Sequence, residues 1–565
     1  MVFEKEEKQK EFLAKVRRGE EENRAKLLAE KTDFPYLNLT FVPIEGDALI
    51  LISKEKSQAA MAAVINREAK ILHLAAVSPD GKETQALVAE LQKEGYTVKI
   101  FVISQASFKK AFSHYPPPRE AKEITGRVEI SKEGLEKFQR EITDLGSFKK
   151  IAERLFESKA TEVVEAALAG ALILKASDLH FEPEKDTIRL RFRLDGVLED
   201  VIFMPPSIYS QVLNRVKLLS GLKLNIHEKA QDGRFTIISG GSEIEIRTSI
   251  LPGAYGENIV MRVLDPGIIK IDLESLGIRE DDLKIIENQL QKPTGMILTT
   301  GPTGSGKTTT LYAFIKKILT PDIKIITIED PIEYHIGGIS QTQVEPDKGY
   351  TFENGLRSIV RQDPDVILVG EIRDFETAEI AMHASLTGHL VFSTLHTNDA
   401  IGAIPRLIDL GVKPPIIAPA INMLMAQRLL RRVCSKCANK RPITGSELSK
   451  FKKILQDLPP RVKNIALNDK IFPTPSRILD EIGTISEPKG CKECHGGYSG
   501  RVAVMELFEV TDDVEKLILS SPAESQLREA AKRAGMVSMT QDAVIKIVRG
   551  ITTIEEAERI LGSLE

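Results

Sequence analysis

Met296-Ile297-Leu298-Thr299-Thr300-Gly301-Pro302-Thr303-Gly304-Ser305-Gly306-Lys307-Thr308 decides the fold of this chain. An apolar strand runs directly into a glycine-rich turn that closes on Gly-Lys-Thr and opens a helix near Lys307, the context of a phosphate loop. Each residue type has a chemical reason. Glycines leave backbone N–H groups open to phosphate oxygens, and the helix N-terminus adds positive potential. Lys307 can neutralise charge on the β- and γ-phosphates, and Thr308 can hold Mg²⁺. The pattern arises by chance in about one in fifty chains of this length, before strand and helix are counted, so a glycine turn without a ligand is the weaker reading. Gly301, Thr303, Gly304, Ser305, Gly306, Lys307, Thr308 and Thr309 are the expected binders of a nucleoside triphosphate.

Outward from the loop, strands are expected at 296–300, 323–328, 366–369 and 390–395 with helical stretches between them. That order implies a largely parallel sheet with right-handed crossovers. Such a sheet brings its carboxyl strand ends to one edge, so Glu329-Asp330-Pro331-Ile332-Glu333 and Gly370-Glu371 arrive beside the loop. A lone Glu there is ordinarily solvated, but arrival in register with a phosphate loop points to catalysis by Glu329, Glu371 and Glu333, with Asp330 at the nucleotide. Gly370 occupies the place before Glu371 where an acidic residue is usual, which favours water activation over metal contact. His389 and His396 flank the strand at 390–395 and are expected to sense the γ-phosphate.

Between Asp178 and Leu264 the period changes to two: Arg189, Arg191 and Arg193 share one strand face, Leu190, Phe192 and Leu194 the other. Ile244 and Ile246 alternate with Glu243, Glu245 and Arg247 in the same way. Residues 1–33 carry nine basic and nine acidic side chains and read as a solvated helical arm. From 34 to 116, apolar runs at 48–52, 71–77 and 97–103 alternate with helical stretches at 57–65 and 82–94, a small α/β domain. Pro116, Pro117 and Pro118 then favour stiff, extended backbone and mark a linker, 117–147.

All four cysteines fall in two Cys-x-x-Cys pairs, Cys434/Cys437 and Cys491/Cys494, the spacing of zinc knuckles. The 53 residues between the pairs are no obstacle. Lengthening such a loop from about 17 residues costs only about 1 kcal/mol of closure entropy, against roughly 10 to 16 kcal/mol for structural Zn²⁺. His495 adjoins the second pair and could replace a ligand, although four thiolates suffice.

The 565 residues, 42% hydrophobic and 28% charged, suit several cores and exclude a fibre or a disordered tail. A net charge of −4, no Trp and 5% aromatic residues provide little phosphate footprint or stacking surface, so nucleic acid is not an expected partner. The most apolar stretch, 163–174, is too short to span a bilayer, and no secretory signal opens the chain. A cytosolic location is expected.

Gly301 to Thr308, Ile328 to Tyr334, Arg361 to Asp374 and Thr387 to Asn398 together resemble the secretion ATPases of type II secretion and type IV pilus assembly, over roughly residues 34–565. The resemblance implies a Walker A loop, an Asp box, a Walker B segment and a His box in a RecA-like domain of a hexameric ring. Ala176 to Pro183, Arg193 to Gly196, Gln231 to Arg234 and Gly256 to Arg262 look like the PAS-like domain that precedes the motor. In that family, arginines from this domain reach a nucleotide on the neighbouring motor domain, which implies that role for Arg193, Arg234, Arg247 and Arg262. Permanently charged, planar guanidinium groups suit a phosphate.

The implied organisation is a multidomain α/β protein: an arm (1–33), a partner-docking domain (34–116), a linker (117–147), a PAS-like α+β domain (148–270) and a RecA-like ATPase domain (271–565). The last carries a tetracysteine zinc subdomain at 430–500 and a helical part at 510–565. The implied activity is ATP hydrolysis with Mg²⁺, driving pilus assembly or type II secretion through an inner-membrane platform protein, with the homohexamer peripheral at the inner face of the cytoplasmic membrane. Extension is favoured over retraction, because retraction motors generally lack the large N-terminal domain and the cysteines. The N-terminal domain of some members binds cyclic di-GMP; without an evident Arg-Leu-Gly-type motif, docking without the dinucleotide is expected here. A DNA-transport or nucleic-acid motor is the alternative, and an ATP-responsive scaffold that does not hydrolyse is disfavoured by intact Lys307, Glu329 and Glu371.

Overall fold

The computed structural model describes residues 19–564 except 41, 43, 45, 50, 69, 94, 115–126, 130–137, 139, 156–159, 240–241, 266, 268–271, 463–465, 468–469 and 472–482. The first 18 residues of the expected arm and the Pro116 to Pro118 hinge lie outside the described residues. The chain divides into two compact units, Met1–Ile124 and Thr125–Glu565.

In the first unit, β1 (Ala62–Glu68) pairs antiparallel with β2 (Ile71–Ala76), which pairs parallel with β3 (Thr97–Val102). Residues 19–32 are helical and bury Ala25 and Ala29 beside Val102. Two expected elements differ. Residues 46–49 are helical rather than extended, and the helix expected at 57–65 ends at Ala60. Met61 turns into the left-handed region (φ 46°), and β1 follows at once. Ala62, Ala63, Val64 and Ile65 are all buried, so the strand shows no alternation that would separate it from a helix.

The second unit contains two seven-stranded sheets. The first comprises β4 (Arg127–Glu129), β5 (Asp178–Pro183), β6 (Ile188–Leu194), β7 (Val197–Met204), β8 (Gln231–Ser239), β9 (Ser242–Gly253) and β10 (Gly256–Leu264), in the order β4-β8-β9-β10-β5-β6-β7. In β6 the even positions Ile188, Leu190, Phe192 and Leu194 are buried against helices Ala160–Ile173 and Pro206–Leu219, leaving the arginines on the opposite face.

The second sheet holds β11 (Gly295–Thr300), β12 (Ile325–Glu329), β13 (Ser340–Gln343), β14 (Val366–Val369), β15 (Leu390–Leu395), β16 (Ile421–Val433) and, after four short strands, β21 (Tyr498–Glu509). The short strands are β17 (Asn439–Pro442), β18 (Ala466–Leu467), β19 (Lys470–Ile471) and β20 (Thr484–Glu487). The order is β13-β12-β14-β15-β11-β16-β21; every pairing is parallel except β16 with β21. Met296 and Leu298 enter one core and Ile297 the other, and β12, β14 and β15 divide in the same way, so these central strands are covered on both faces and read as short, largely apolar runs without alternation. The long hairpin of β16 and β21 was not legible as strands. It carries the tetracysteine module at its open end, where β17 and β20 pair as a second ribbon.

Behind the sheet, Arg279, Arg461 and Lys546 face Asp281, Asp282 and Asp542 in a balanced ionic cluster. Arg279, Asp282, Asp542 and Lys546 are all buried, and burial pushes the Asp282 carboxyl up and the Lys546 ammonium down. Removing one partner strands the others in a dry interior. Asp542→Ala is expected to destabilise this unit by about 3 to 5 kcal/mol, read as an earlier unfolding transition in chemical denaturation; an unchanged transition would show that the cluster contributes little.

Candidate active site

The turn after β11 is built for close approach. Gly301, Gly304 and Gly306 adopt φ of 145°, 80° and 91°. A Cβ on Gly301 would sit 2.6 Å from the Gln427 carbonyl oxygen, and one on Gly306 would sit 2.7 Å from Gln427 Nε2. Glycine is therefore required by both dihedral and space. Pro302, Thr303 and Gly304 form an exposed rim above buried Ser305 and Lys307. Helix Lys307–Ile318 begins at Gly306 without a side-chain cap, leaving its first N–H groups free for an anion. Ser305 Oγ is buried without a hydrogen-bond partner among the described residues. Lys307 Nζ donates to the carbonyls of Gly301 (2.7 Å) and Pro302 (3.2 Å). Burial lowers its pKa, partly offset by the charge of Glu371. Open amide groups, an orphaned hydroxyl and an ammonium held only by neutral carbonyls make a cradle that fits a polyphosphate, with Thr308 and Thr309 on the first helical turn.

The strand ends next to the loop are stitched together. Thr397 donates its N–H to Thr300 Oγ1 at 2.7 Å, and Thr394 Oγ1 donates to the Gly370 carbonyl at 2.8 Å. Glu371 is thereby held between Arg373 and His396 Nε2, the latter 3.2 Å from Oε2. Arg373 also reaches Asp330 at 3.5 Å. Gly370 has a packing reason: its Cβ would lie 3.3 Å from Glu329 Cα and from the Ile328 carbonyl, so an acidic side chain there would crowd β12.

Glu329 is at the end of β12 but is 3% exposed. It accepts hydrogen bonds from Tyr312, from Thr327 at 2.6 Å and from Gln341 at 3.2 Å. Burial, then the Glu329 charge, holds the Tyr312 hydroxyl well above the usual phenol range. The Glu329 oxygens are therefore spent within the chain, whereas Glu371 borders the exposed Arg373 and His396. His396 follows the carboxyl end of β15, on the loop edge; His389 precedes its amino end, on the far edge, with Nδ1 at 2.9 Å from the Ala384 carbonyl. His389 is not brought to the loop.

The four arginines lie in one line. Cross-strand pairing sets Arg234 opposite Arg247, Arg247 opposite Arg262, Arg262 opposite Asp178, and Asp178 opposite Arg193. Directly opposed residues share a face, so these side chains form a cationic stripe with one carboxylate in it. Arg247 bonds to the Ile332 carbonyl and lies 3.3 Å from Glu333 Oε2, joining the stripe to the segment after β12. Arg193 and Arg262 both pair with Asp178, and among the described residues their partners lie outside the phosphate loop. Arg189 and Arg191 pair instead with Asp200 and Glu182. Tyr312, Arg373, Arg428 and Asp178 were missed from sequence; Arg428, 3.0 Å from the Gln427 carbonyl behind the loop, has no motif spacing that could have marked it.

Sγ atoms of Cys434, Cys437, Cys491 and Cys494 all lie within 4.8 Å of one another, with 4.0 Å between Cys434 and Cys491 and 3.6 Å between Cys437 and Cys494. Thiolates about 2.3 Å from one tetrahedral Zn²⁺ lie about 3.8 Å apart, so the cage fits that ion. His495 is not among the grouped ligands; its backbone bridges Tyr498. No helix among the described residues is long and apolar enough to cross a membrane.

Residues 156–559 match the family model described as Type II/IV secretion system protein. The type IV pilus assembly ATPase PilB of Myxococcus xanthus is 35% identical over 96% of this chain and 92% of its own. The type II secretion system ATPase E of Vibrio cholerae is 37% identical over 87% of this chain and 92% of its own. Among solved structures, the ATPase DotB of Yersinia pseudotuberculosis superimposes with a TM-score of 0.51 at 20% identity over 72% of this chain and 94% of that one, a likeness of fold.

The purified chain is expected to hold about one Zn²⁺ by elemental analysis, and Cys434→Ser with Cys491→Ser to hold close to none. Full zinc content in the double variant would exclude this cage.

Proposed function

Because the chain belongs to the Type II/IV secretion system protein family, and is thus an ATP-hydrolysing P-loop enzyme, we propose that it is the hexameric motor of a pilus-assembly or type II secretion machine. In this reading residues 148–270 are the PAS-like domain and 271–565 the RecA-like domain, with 34–116 docking on a partner. The motor works at the inner face of the cytoplasmic membrane, held there by an inner-membrane platform protein.

The observation that carries the proposal is the arginine stripe. Within one chain Arg193, Arg247 and Arg262 pair with Asp178, Glu245 and Glu333 instead of crossing the phosphate loop, while that loop offers an open rim. A second copy can bring a stripe over the rim, so that hydrolysis waits for a neighbour and a ring is the natural assembly.

Residue roles follow from position. The loop amides and Lys307 hold the β- and γ-phosphates; on nucleotide entry Lys307 exchanges the carbonyls of Gly301 and Pro302 for phosphate oxygens. Bound Mg²⁺ at Thr308 would neutralise phosphate charge. Glu371 takes a proton from the attacking water, with His396 orienting its carboxylate. Glu329, Asp330 and Glu333 hold the neighbouring strand end in place through Tyr312, Arg373 and Arg247. Arginines closing over the transferred phosphoryl group stabilise its developing charge, and their release after hydrolysis returns the domain to its open position.

Glu371→Gln should bind ATP with near wild-type affinity while turnover of the assembled protein falls about 10²-fold or more. Undiminished turnover would remove Glu371 from the proposed role, and DNA-stimulated turnover with steep salt dependence would favour a nucleic-acid motor instead.

A further inference from the structure

Asp178 is the single carboxylate in the cross-strand line of Arg234, Arg247, Arg262 and Arg193. It lies on β5 between Arg262 of β10 and Arg193 of β6, and is 5% exposed. Its two oxygens are divided between the arginines: Oδ1 accepts from Arg262 Nε at 3.0 Å, and Oδ2 lies 3.2 Å from Arg193 Nε. Ser177 Oγ donates to Oδ2 at 2.9 Å and fixes the carboxylate plane.

Both pairs use Nε, the inner nitrogen of the guanidinium. The outer nitrogens are not spent on Asp178, and the heads stay accessible, with side-chain exposure of 34% for Arg193 and 52% for Arg262. Arg193 is fixed a second time, Nη1 donating to the Gly196 carbonyl at 3.2 Å across the turn to β7. Drawing both guanidinium groups fully under cover would add a desolvation cost for each ion. Here the carboxylate is buried and the cations are half out, held at the root and open at the tip. Opposed arginines on neighbouring strands also repel, and a carboxylate between two of them lets the cationic line persist without splaying.

We infer that Asp178 is a positioning residue for hydrolysis, aiming Arg193 and Arg262 so that their outer nitrogens meet the phosphates of a nucleotide on an adjoining copy. The inference rests on the proposed role of those arginines and adds the group that holds them in attack geometry. A guanidinium on an exposed strand otherwise samples many rotamers, and misplacement by a fraction of its length removes most of its benefit to a transition state.

The test uses the full-length assembled ATPase. Asp178→Asn keeps shape and burial and removes the charge. Its kcat is expected to fall about tenfold or more with KM for ATP within about twofold, since the arginines act on the transition state more than on binding. Combined with Arg193→Ala and Arg262→Ala, it should cost nothing further, because the groups it positions are gone. A kcat within about twofold of wild type, or a loss that adds in full to that of the arginine variants, would overturn the inference. If Asp178→Asn does not fold, Asp178→Glu keeps the charge and displaces it by one methylene; unchanged kcat there also overturns it, and a fall at constant KM supports it. Arg193→Ala and Arg262→Ala alone separate the two levels: full activity in both defeats the proposed role of the arginines, whereas impaired arginine variants beside an unimpaired Asp178→Asn defeat only the part assigned to Asp178.

Discussion

Parallel strands deliver their carboxyl ends to one edge of a sheet, and this constraint organises the part of the chain that carries the phosphate loop. β11 ends in the phosphate loop, β12 in Glu329, β14 at Gly370 and Glu371, and β15 at His396. None of these segments is near another in sequence; the sheet makes them neighbours and side-chain hydrogen bonds from Thr300 and Thr394 lock the strand ends together. The same constraint sends His389, only a strand length away, to the other edge. It also demands strands covered on both faces, which the two cores flanking β11 satisfy.

On that edge, charge is arranged in halves. The loop has an ammonium, open amides and a carboxylate, while the strand-rich sheet has a line of guanidinium groups anchored by Asp178, Glu245 and Glu333. In the proposed function neither half suffices alone, because phosphoryl transfer needs both the nucleophile's base and cationic charge on the equatorial oxygens. Under that proposal, separating them onto two lobes makes chemistry depend on closure. The tetracysteine cage belongs to the same logic of fixed supports: it sits at the open end of the β16 and β21 hairpin, and Gly500 of β21 donates its N–H to Asp195 at 2.9 Å, beside the Gly196 that braces Arg193.

Much of this was legible because chemistry and local pattern coincide. Gly301 to Thr308 announces its own dihedrals, the alternation of Arg189 to Leu194 names its buried face, and two Cys-x-x-Cys pairs announce a cage whatever their separation. Elsewhere the physics is non-local. The helix expected through Ile65 ends at Ala60 because Met61 enters the left-handed region, and four consecutive buried residues in β1 erase the strand period. β16 and β21 mix apolar and charged positions over 13 and 12 residues, and their pairing spans the cysteine interval, so no window of sequence contains it. The alignment of Arg234, Arg247, Arg262, Asp178 and Arg193 exists only in strand register; sequence order separates Arg193 from Arg262 by three strands. Likewise, Glu329 reads as a free carboxylate until Tyr312 and Gln341 are seen to occupy it.

Completion of the site by another copy is tested most directly by mixing two inactive chains before assembly. One carries Lys307→Ala, which keeps the arginines and loses the phosphate grip; the other carries Arg193→Ala with Arg262→Ala, which keeps the grip and loses the stripe. ATP turnover of the mixture well above the sum of the two separate assemblies is the expected result, since arginines of the first would close over nucleotide held by the second. Turnover that never exceeds that sum, in rings shown to contain both chains, would contradict an active site shared between copies.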